Sequence, residues 1–310
     1  MIKILSQSEI QNNLKRQSEK IKSVYYGVYS SWHGGLITEK DLMLVPIDDH
    51  LVHRGDGVFE AIKIFNGKPY LLDQHLNRLL KSAQFLKLPL PFPKDWMLKA
   101  IPTCIELLKL PKLSMLRIFV SRGPGDFSVN PRSTVGSQLY MVFTDAQEIT
   151  DTKRELGMKI GFAKTPAKES WIAPYKTCNY IQNVFLKGEA LDNGWDFAIA
   201  HNQGIVSESA TENLFWIAKD GFIEHPPQSS ILTGTVMARA IQLAEEKLGI
   251  KTRESTIRIE ELNQQSEIMM AGTTLDILPV TQIDGYPFSP RKWNDSVAKK
   301  LNELVQNDQH

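Results

Sequence analysis

The chain has 310 residues, 42% hydrophobic and 23% charged, which is enough to bury the core of one large domain or two medium-sized ones. Its 36 basic and 35 acidic residues nearly cancel, which argues against a partner such as nucleic acid or an anionic membrane. The two cysteines are far apart and fit neither a disulfide framework nor a zinc site. The N-terminus turns polar too early for a signal peptide, and no run of 18 apolar residues follows. We therefore expect a cytoplasmic protein that needs no metal and acts on small molecules.

The first 86 residues predict strands, a hairpin and a helix. Residues 24–30 and 58–65 are rich in aromatic and β-branched side chains, as strands are. The second run ends at Asn66-Gly67, a dipeptide typical of a two-residue hairpin turn because both turn positions need positive φ. Asp73 is the predicted N-cap of a helix, and leucines at helical spacing follow it up to residue 86.

The remainder of the first half predicts one more helix and two strands. The helix covers about residues 93–109, with a kink at Pro102, and the strands cover residues 113–121 and 138–144. This order of elements indicates an α+β domain, in which a mostly antiparallel sheet carries helices on one side.

A polar stretch from about Gln147 to Glu155 interrupts the pattern, and a second set of elements follows. We interpret residues 1–147 as a smaller N-terminal α+β domain, 148–156 as a linker and 157–310 as a larger C-terminal α/β domain. The later predicted elements are strands at residues 158–163, 196–201, 213–218 and 221–225, and helices at residues 180–193, 235–249 and 294–306.

Four segments, at residues 53–79, 176–191, 204–217 and 231–239, carry a resemblance that covers nearly the whole chain. In this order and spacing they resemble the class IV (fold type IV) enzymes that use pyridoxal 5′-phosphate (PLP). That group includes branched-chain aminotransferases, D-amino acid aminotransferases, aminodeoxychorismate lyases and (R)-selective amine transaminases. The resemblance implies a two-domain fold that combines α+β and α/β parts, with PLP in the cleft between the domains, and it implies a homodimer.

Three residues match the main cofactor contacts of this family. Lys176 matches the lysine that carries PLP, where a primary amine must condense with the aldehyde, give way to the substrate amine and shuttle the Cα proton. Glu208 matches the carboxylate that keeps the pyridine nitrogen protonated, with the neighbouring Glu212 as the alternative. Arg78 matches the arginine that binds the phosphate, because a guanidinium can hold two phosphate oxygens at once.

The resemblance assigns four further residues to the cofactor. Gly234 and Thr235 open a predicted helix, where backbone N–H groups and the helix dipole favour a phosphate. Most relatives have glycine, isoleucine and threonine where this chain has Gly234, Thr235 and Val236, so the usual hydroxyl is absent or displaced by one position. Thr273 matches a second phosphate-binding loop. Tyr180 either faces the phenolic oxygen of the cofactor or is a core aromatic residue at the start of a helix.

Five residues are assigned to the substrate. Arg117 matches a strand position at which branched-chain aminotransferases bind the distal carboxylate of glutamate or 2-oxoglutarate; the alternative is a salt bridge within the sheet. Arg54 is a second candidate for carboxylate binding, and Phe59 is expected to form an apolar wall. Ala61 stands where the lyases usually carry a threonine whose hydroxyl is implicated in elimination. Thr274 completes the set.

These assignments favour PLP-dependent transamination between a hydrophobic amino acid, such as a branched-chain one, and 2-oxoglutarate. Aminodeoxychorismate lyase, which releases pyruvate, is the first alternative and is disfavoured by Ala61. D-Amino acid aminotransferase is the second, although Gly125, Asp126 and Phe127 stand where typical D-specific enzymes place an arginine and a histidine. A PLP-binding protein without catalytic activity is the remote alternative. The expected partners are small amino acids and 2-oxo acids, with neither nucleic acid nor membrane involved.

Overall fold

The computed structural model describes residues 2–288 and 293–309, except for the side chain of Trp293. The chain divides into two compact units, Met1–Gln147 and Glu148–His310, each with its own sheet and core. None of the described helices is both long enough and apolar enough to cross a lipid bilayer.

The first unit is built on a six-stranded antiparallel sheet. Its strands follow the order β2-β1-β6-β5-β3-β4, and every neighbouring pair is antiparallel, which confirms the predicted sheet type. The elements of this unit are α1 (Gln7–Ser18), β1 (Tyr25–Ser30), β2 (Gly35–Ile37), α2 (His50–Arg54), β3 (Gly57–Phe65), β4 (Lys68–Pro69), α3 (Leu72–Phe85), α4 (Lys94–Leu108), β5 (Leu113–Ser121) and β6 (Gln138–Asp145).

Two faces with different roles result from the alternation of side chains along β3 and β5. One face contributes Val58, Ile62 and Ile118, which form a single core with Leu76 and Leu79 of α3. The opposite face carries the odd-numbered residues of β3 and β5, because successive side chains of a strand point to opposite sides of the sheet. The odd-numbered side chains of these strands therefore lie outside the core that α3 forms with the sheet.

Two local predictions for this unit have different outcomes. The hairpin turn is confirmed, since Asn66 and Gly67 have φ angles of +49° and +76°. The N-cap prediction for Asp73 is wrong, because α3 begins at Leu72 and Leu71 occupies the cap position with φ of +54°. Asp73 lies in the first turn instead, where its carboxylate is 2.5 Å from Lys94 Nζ at the start of α4. The side chain that the local sequence pattern assigned to the N-cap thus contacts the next helix instead.

A buried acidic cluster joins α3 to β3. Glu60, which is fully buried, accepts hydrogen bonds from Arg78 Nε and Nη2, both at 2.7 Å, and His75 Nδ1 lies 2.7 Å from its second oxygen. Burial raises the pKa of Glu60, but the charge and hydrogen bonds of Arg78, and then His75, outweigh it and lower the pKa to about 2. The carboxylate is therefore ionised and holds the guanidinium in a bidentate geometry.

The second unit contains a nine-stranded mixed sheet in the order β12-β11-β10-β13-β14-β7-β8-β9, with β15 paired to β14. The pairs β11/β12, β14/β7 and β7/β8 are parallel and the others are antiparallel. Its elements are α5 (Asp151–Leu156), β7 (Met158–Pro166), α6 (Ile181–Asp192), β8 (Phe197–Asn202), β9 (Ile205–Ser209), β10 (Asn213–Ile217), β11 (Ile223–His225), α7 (Thr235–Leu243), β12 (Thr252–Glu254), α8 (Ile259–Leu262), β13 (Glu267–Gly272), β14 (Asp276–Ile283), β15 (Tyr286–Pro287) and α9 (Val297–Asp308).

Helix α9 is fastened at both ends. At its start, the buried carboxylate of Glu267 accepts hydrogen bonds from the backbone N–H groups of Val297, at 2.8 Å, and Ala298, at 3.2 Å. At its end, Asp308 forms a bidentate ion pair with Arg239 of α7, with distances of 2.8 and 2.6 Å. These contacts hold α9 against β13 and α7.

We expect the substitution Glu60→Gln to lower the free energy of unfolding at pH 7 by about 3 kcal/mol, because a neutral amide leaves the Arg78 charge without its ionic partner. The pKa of Glu60 falls from 4.5 to about 2 on folding. Its ionised form therefore stabilises the fold above pH 4.5, and this contribution is lost as the pH falls toward 2. Urea unfolding of both proteins between pH 7 and pH 3 should show the difference shrinking.

The control is Asp73→Asn, which neutralises an exposed carboxylate on the same helix and should have little effect. A difference between wild type and Glu60→Gln that stays constant from pH 7 to pH 3 would show that Glu60 is not the ionised group.

Candidate active site

Lys176 lies in the turns that precede α6 and is buried, with 8% of its surface exposed. Its Nζ donates a hydrogen bond to the hydroxyl of Tyr180, the N-cap residue of α6, at 3.0 Å. An ordinary surface lysine is solvated, whereas this amine is buried. A buried amine is costly without polar partners, and the Tyr180 hydroxyl is one such partner. Tyr180 is half-buried and its hydroxyl is directed to Lys176.

Glu208 is the next-to-last residue of β9, and its carboxylate accepts hydrogen bonds from Leu232 and Asn213. The backbone N–H of Leu232 lies 3.1 Å from both oxygens, and Asn213 Nδ2 donates to Oε2 at 3.0 Å. Glu212, the alternative acid, is buried in the turn between β9 and β10, where it accepts hydrogen bonds from Ser209 Oγ at 2.9 Å and from the neighbouring threonine. Burial raises the pKa of Glu212. The Glu212 side chain is thus bound by residues of the turn itself, whereas Glu208 lies where β9 leads into that turn.

The N-terminus of α7 forms a cradle in which a side chain has no room. Gly234 is the cap residue and Thr235 the first residue of this nine-residue helix. A Cβ atom at Gly234 would lie 1.8 Å from Asn213 Oδ1, so any other residue here would have to displace the Asn213 amide. Backbone N–H groups at the start of a helix favour an anion. Thr273 lies in the turn between β13 and β14, half-buried, and Thr274 is exposed beside it.

In the first unit, Arg78 lies on one side of the sheet, and three residues predicted to bind substrate, Phe59, Ala61 and Arg117, lie on the other. Arg78 contacts Glu60 on the face that α3 covers. Phe59 and Ala61 lie on the other face, and Ala61 is the register partner of Arg117. Arg117 is half-buried and donates to the hydroxyl of Thr144 on β6 at 2.9 Å, a contact within the sheet but with a neutral partner.

Phe59 and Arg54 are two further predictions for the first unit, and Lys63 is one residue that the sequence analysis omitted. The ring of Phe59 stacks on that of Phe119 at 5.8 Å, which agrees with an apolar wall. Arg54 is exposed at the end of α2 and donates to the carbonyl oxygens of His53, at 2.9 Å, and Phe127, so its contacts are with a loop. Lys63 is buried, with 7% of its surface exposed, on the same face as Ala61. The alternation of β3 could have revealed this lysine, which sequence reasoning missed.

The comparisons with known proteins agree with these observations. The family model described as amino-transferase class IV matches residues 57–283. The chain is 30% identical to the chloroplastic D-amino-acid transaminase of Arabidopsis thaliana, with 99% of this chain and 82% of the relative covered. It is also 30% identical to a putative branched-chain-amino-acid aminotransferase of Methanocaldococcus jannaschii, with 87% and 93% covered.

Among solved structures, the branched-chain amino acid aminotransferase of Escherichia coli matches with a TM-score of 0.80 and 26% identity, over 92% of this chain and 94% of that one. The predicted fold type IV architecture is thereby confirmed. The matches to the family model and to the Arabidopsis relative show that this chain is an enzyme of the class IV aminotransferase family, whose members use pyridoxal 5′-phosphate.

Proposed function

We propose that this enzyme transfers an amino group between a hydrophobic amino acid, such as a branched-chain one, and 2-oxoglutarate. Family membership supports PLP-dependent transamination as the reaction type. The observation that carries the proposal is the buried amine of Lys176, in the same unit as a carboxylate and a helix N-terminus fit for the two ends of the cofactor. The choice of substrate rests on Arg117 and Ala61.

The residues of the second unit fit PLP. At Gly234 the missing Cβ lets the Asn213 amide lie against the start of α7, and the backbone N–H groups there are suited to a phosphate. Thr273 adds a hydroxyl in the turn after β13. Glu208 offers an oriented carboxylate for the ring nitrogen, and Lys176 offers the primary amine for the covalent bond. When bound, the cofactor supplies an aldehyde that captures amines and a ring that withdraws electrons from the substrate Cα.

The chain's own residues then divide the remaining work. Lys176 moves the Cα proton as a general base, and the hydroxyl of Tyr180, 3.0 Å from its Nζ, orients that nitrogen. Glu208 holds a proton on the ring nitrogen because a carboxylate in contact with that nitrogen favours its charged form. The family resemblance assigns Arg78 to the phosphate as well, and the ionised carboxylate of Glu60 fixes the plane of its guanidinium.

The sheet face that carries Phe59 and Ala61 supports a substrate with both apolar and acidic parts. Phe59 provides an apolar surface, and Arg117 and Lys63 place two cationic side chains on the same face. A dicarboxylate such as 2-oxoglutarate is the partner that such cations favour. Arg54 and Thr274 are both exposed and stay candidates for the substrate carboxylate.

A D-amino acid substrate is the second candidate, because the Arabidopsis relative carries that name. The loop after β5 argues against it. Asp126 accepts hydrogen bonds from Ser128 N, at 2.9 Å, and Ser133 Oγ, at 2.7 Å, so a carboxylate stands where typical D-specific enzymes place cations. Incubation with L- and D-amino acids and 2-oxoglutarate, with aminodeoxychorismate in parallel, separates the three activities. The homodimer and the cytoplasmic location stay predictions.

We expect Lys176→Ala to lower the rate of glutamate formation by several orders of magnitude, because the covalent bond to PLP and the proton transfer both need this amine. Borohydride reduction of the holoenzyme followed by peptide mass spectrometry should locate the cofactor on residue 176. The matched control is Lys168→Ala, since Lys168 also lies near the Tyr180 ring, at 4.7 Å. Label on residue 168 in the wild-type protein would contradict the assignment.

We expect Arg117→Ala to raise the KM for 2-oxoglutarate by about 10- to 100-fold, since a hydrogen bond to a charged group contributes about 1.5–3 kcal/mol. The KM for 4-methyl-2-oxopentanoate, which lacks the distal carboxylate, should change little. Steady-state kinetics with both oxo acids measures the difference, and Arg16→Ala on the exposed face of α1 is the control. Equal changes for the two oxo acids would remove the basis for the dicarboxylate assignment.

A further inference from the structure

The side chain of Asn213 contacts both ends of the proposed cofactor site. Its Nδ2 donates to Glu208 Oε2 at 3.0 Å and to the carbonyl oxygen of Leu232 at 2.8 Å. Asn213 is 6% exposed and opens β10. We propose that Asn213 is a positioning residue that fixes the separation between Glu208 and the N-terminus of α7; this inference rests on the function proposed above.

Hydrogen bonds join Asn213, Glu208 and Leu232 in a triangle. Leu232 donates its N–H to both oxygens of Glu208, at 3.1 Å, and accepts from Asn213 through its carbonyl. Each of the three residues is therefore bonded to the other two. A displacement of any one of them stretches two contacts, which couples the end of β9 to the segment that leads into α7.

Steric contact adds to these hydrogen bonds on the side of α7. The missing Cβ of Gly234 would lie 1.8 Å from Asn213 Oδ1, so the amide is in direct contact with the cap of the helix. The backbone of Asn213 pairs with Ala271 of β13, one residue before Gly272 and the Thr273 turn. Three segments assigned to the cofactor thus meet at one asparagine.

The chemistry of the amide explains why this residue type suits the position. A primary amide has two N–H donors on one nitrogen, and here they serve a carboxylate and a carbonyl oxygen. An aspartate of the same shape would lose both donors and place a second negative charge beside Glu208. A serine would be too short to reach both acceptors.

The functional consequence follows from the limited reach of the cofactor. The ring of PLP fixes the distance from its nitrogen to the carbon that bears the phosphate arm, and this short arm limits how far the phosphate can lie from that carbon. The groups that bind the nitrogen and the phosphate must therefore keep a matching separation, and a small error in it weakens binding and misplaces the reacting atoms. Asn213 would set that separation through its contacts with Glu208, Leu232 and Gly234.

The test measures PLP binding by the apoprotein. Titration of the wild-type protein, Asn213→Ala, Asn213→Ser and Asn213→Asp with PLP, followed by tryptophan fluorescence, gives a dissociation constant for each. We expect the loss of two hydrogen bonds to raise it about tenfold or more for alanine and serine, and further for aspartate. Thermal unfolding of each apoprotein reports the change in stability separately.

A matched control is Asn302→Ala in the same unit. Asn302 is 2% exposed and accepts a hydrogen bond from Arg154 Nη1 at 2.8 Å, so its loss disturbs a comparable buried amide on α9. We expect it to lower the unfolding temperature while the PLP dissociation constant stays as in the wild type. The effect of Asn213→Ala should also be smaller in a Glu208→Gln background, because contacting residues are not additive.

Three outcomes overturn the proposal. The first is wild-type PLP affinity in the Asn213 variants. The second is a loss of PLP affinity that follows the loss of thermal stability to the same extent in the Asn213 variants and in Asn302→Ala. The third, no PLP binding by the wild-type chain, overturns the proposed function as well and so is distinguishable from the other two. Gly234→Ala, which displaces the amide without removing it, supplies an independent variant and should weaken PLP binding to a similar extent.

Discussion

The hydrogen bonds between Glu208 and the backbone of Leu232 are the contact on which the second unit's site depends. These residues are 24 positions apart, and the strands and helices that carry them do not by themselves fix the carboxylate against the start of α7. Polar contacts of this kind are directional, whereas apolar packing tolerates small shifts. The half-buried carboxylate therefore gives the site its geometry, and the surrounding core of the sheet gives it support.

A comparable constraint shapes the first unit. Glu60 carries a full charge inside the protein, and that charge is tolerated because Arg78 and His75 surround it. The even-numbered residues of β3 face the helices. The odd-numbered ones, Phe59 and Ala61 among them, form a surface of different chemistry. The two-residue period of β3 thus places Glu60, the partner of Arg78, and the proposed substrate residues on opposite faces of one sheet.

Local signals account for what the sequence predicted well. The Asn66-Gly67 turn needs no information beyond its own dipeptide. The role of Lys176 was assigned through the family resemblance and stays a prediction. The N-cap prediction for Asp73 was wrong because a lysine on the next helix competes for its carboxylate. Strand β9 was missed as an element because it is short and half polar. The contacts of Asn213 depend on chain segments that meet only after folding, so no local pattern announces them.

The ion pair between Arg239 and Asp308 links the last turn of α9 to α7, so a change in that turn can affect the proposed cofactor site. Arg239 belongs to α7, whose first turn is the proposed phosphate-binding end, and a short helix moves nearly as a rigid rod. A change that frays the last turn of α9 would therefore disturb the helix whose start is proposed to bind the phosphate.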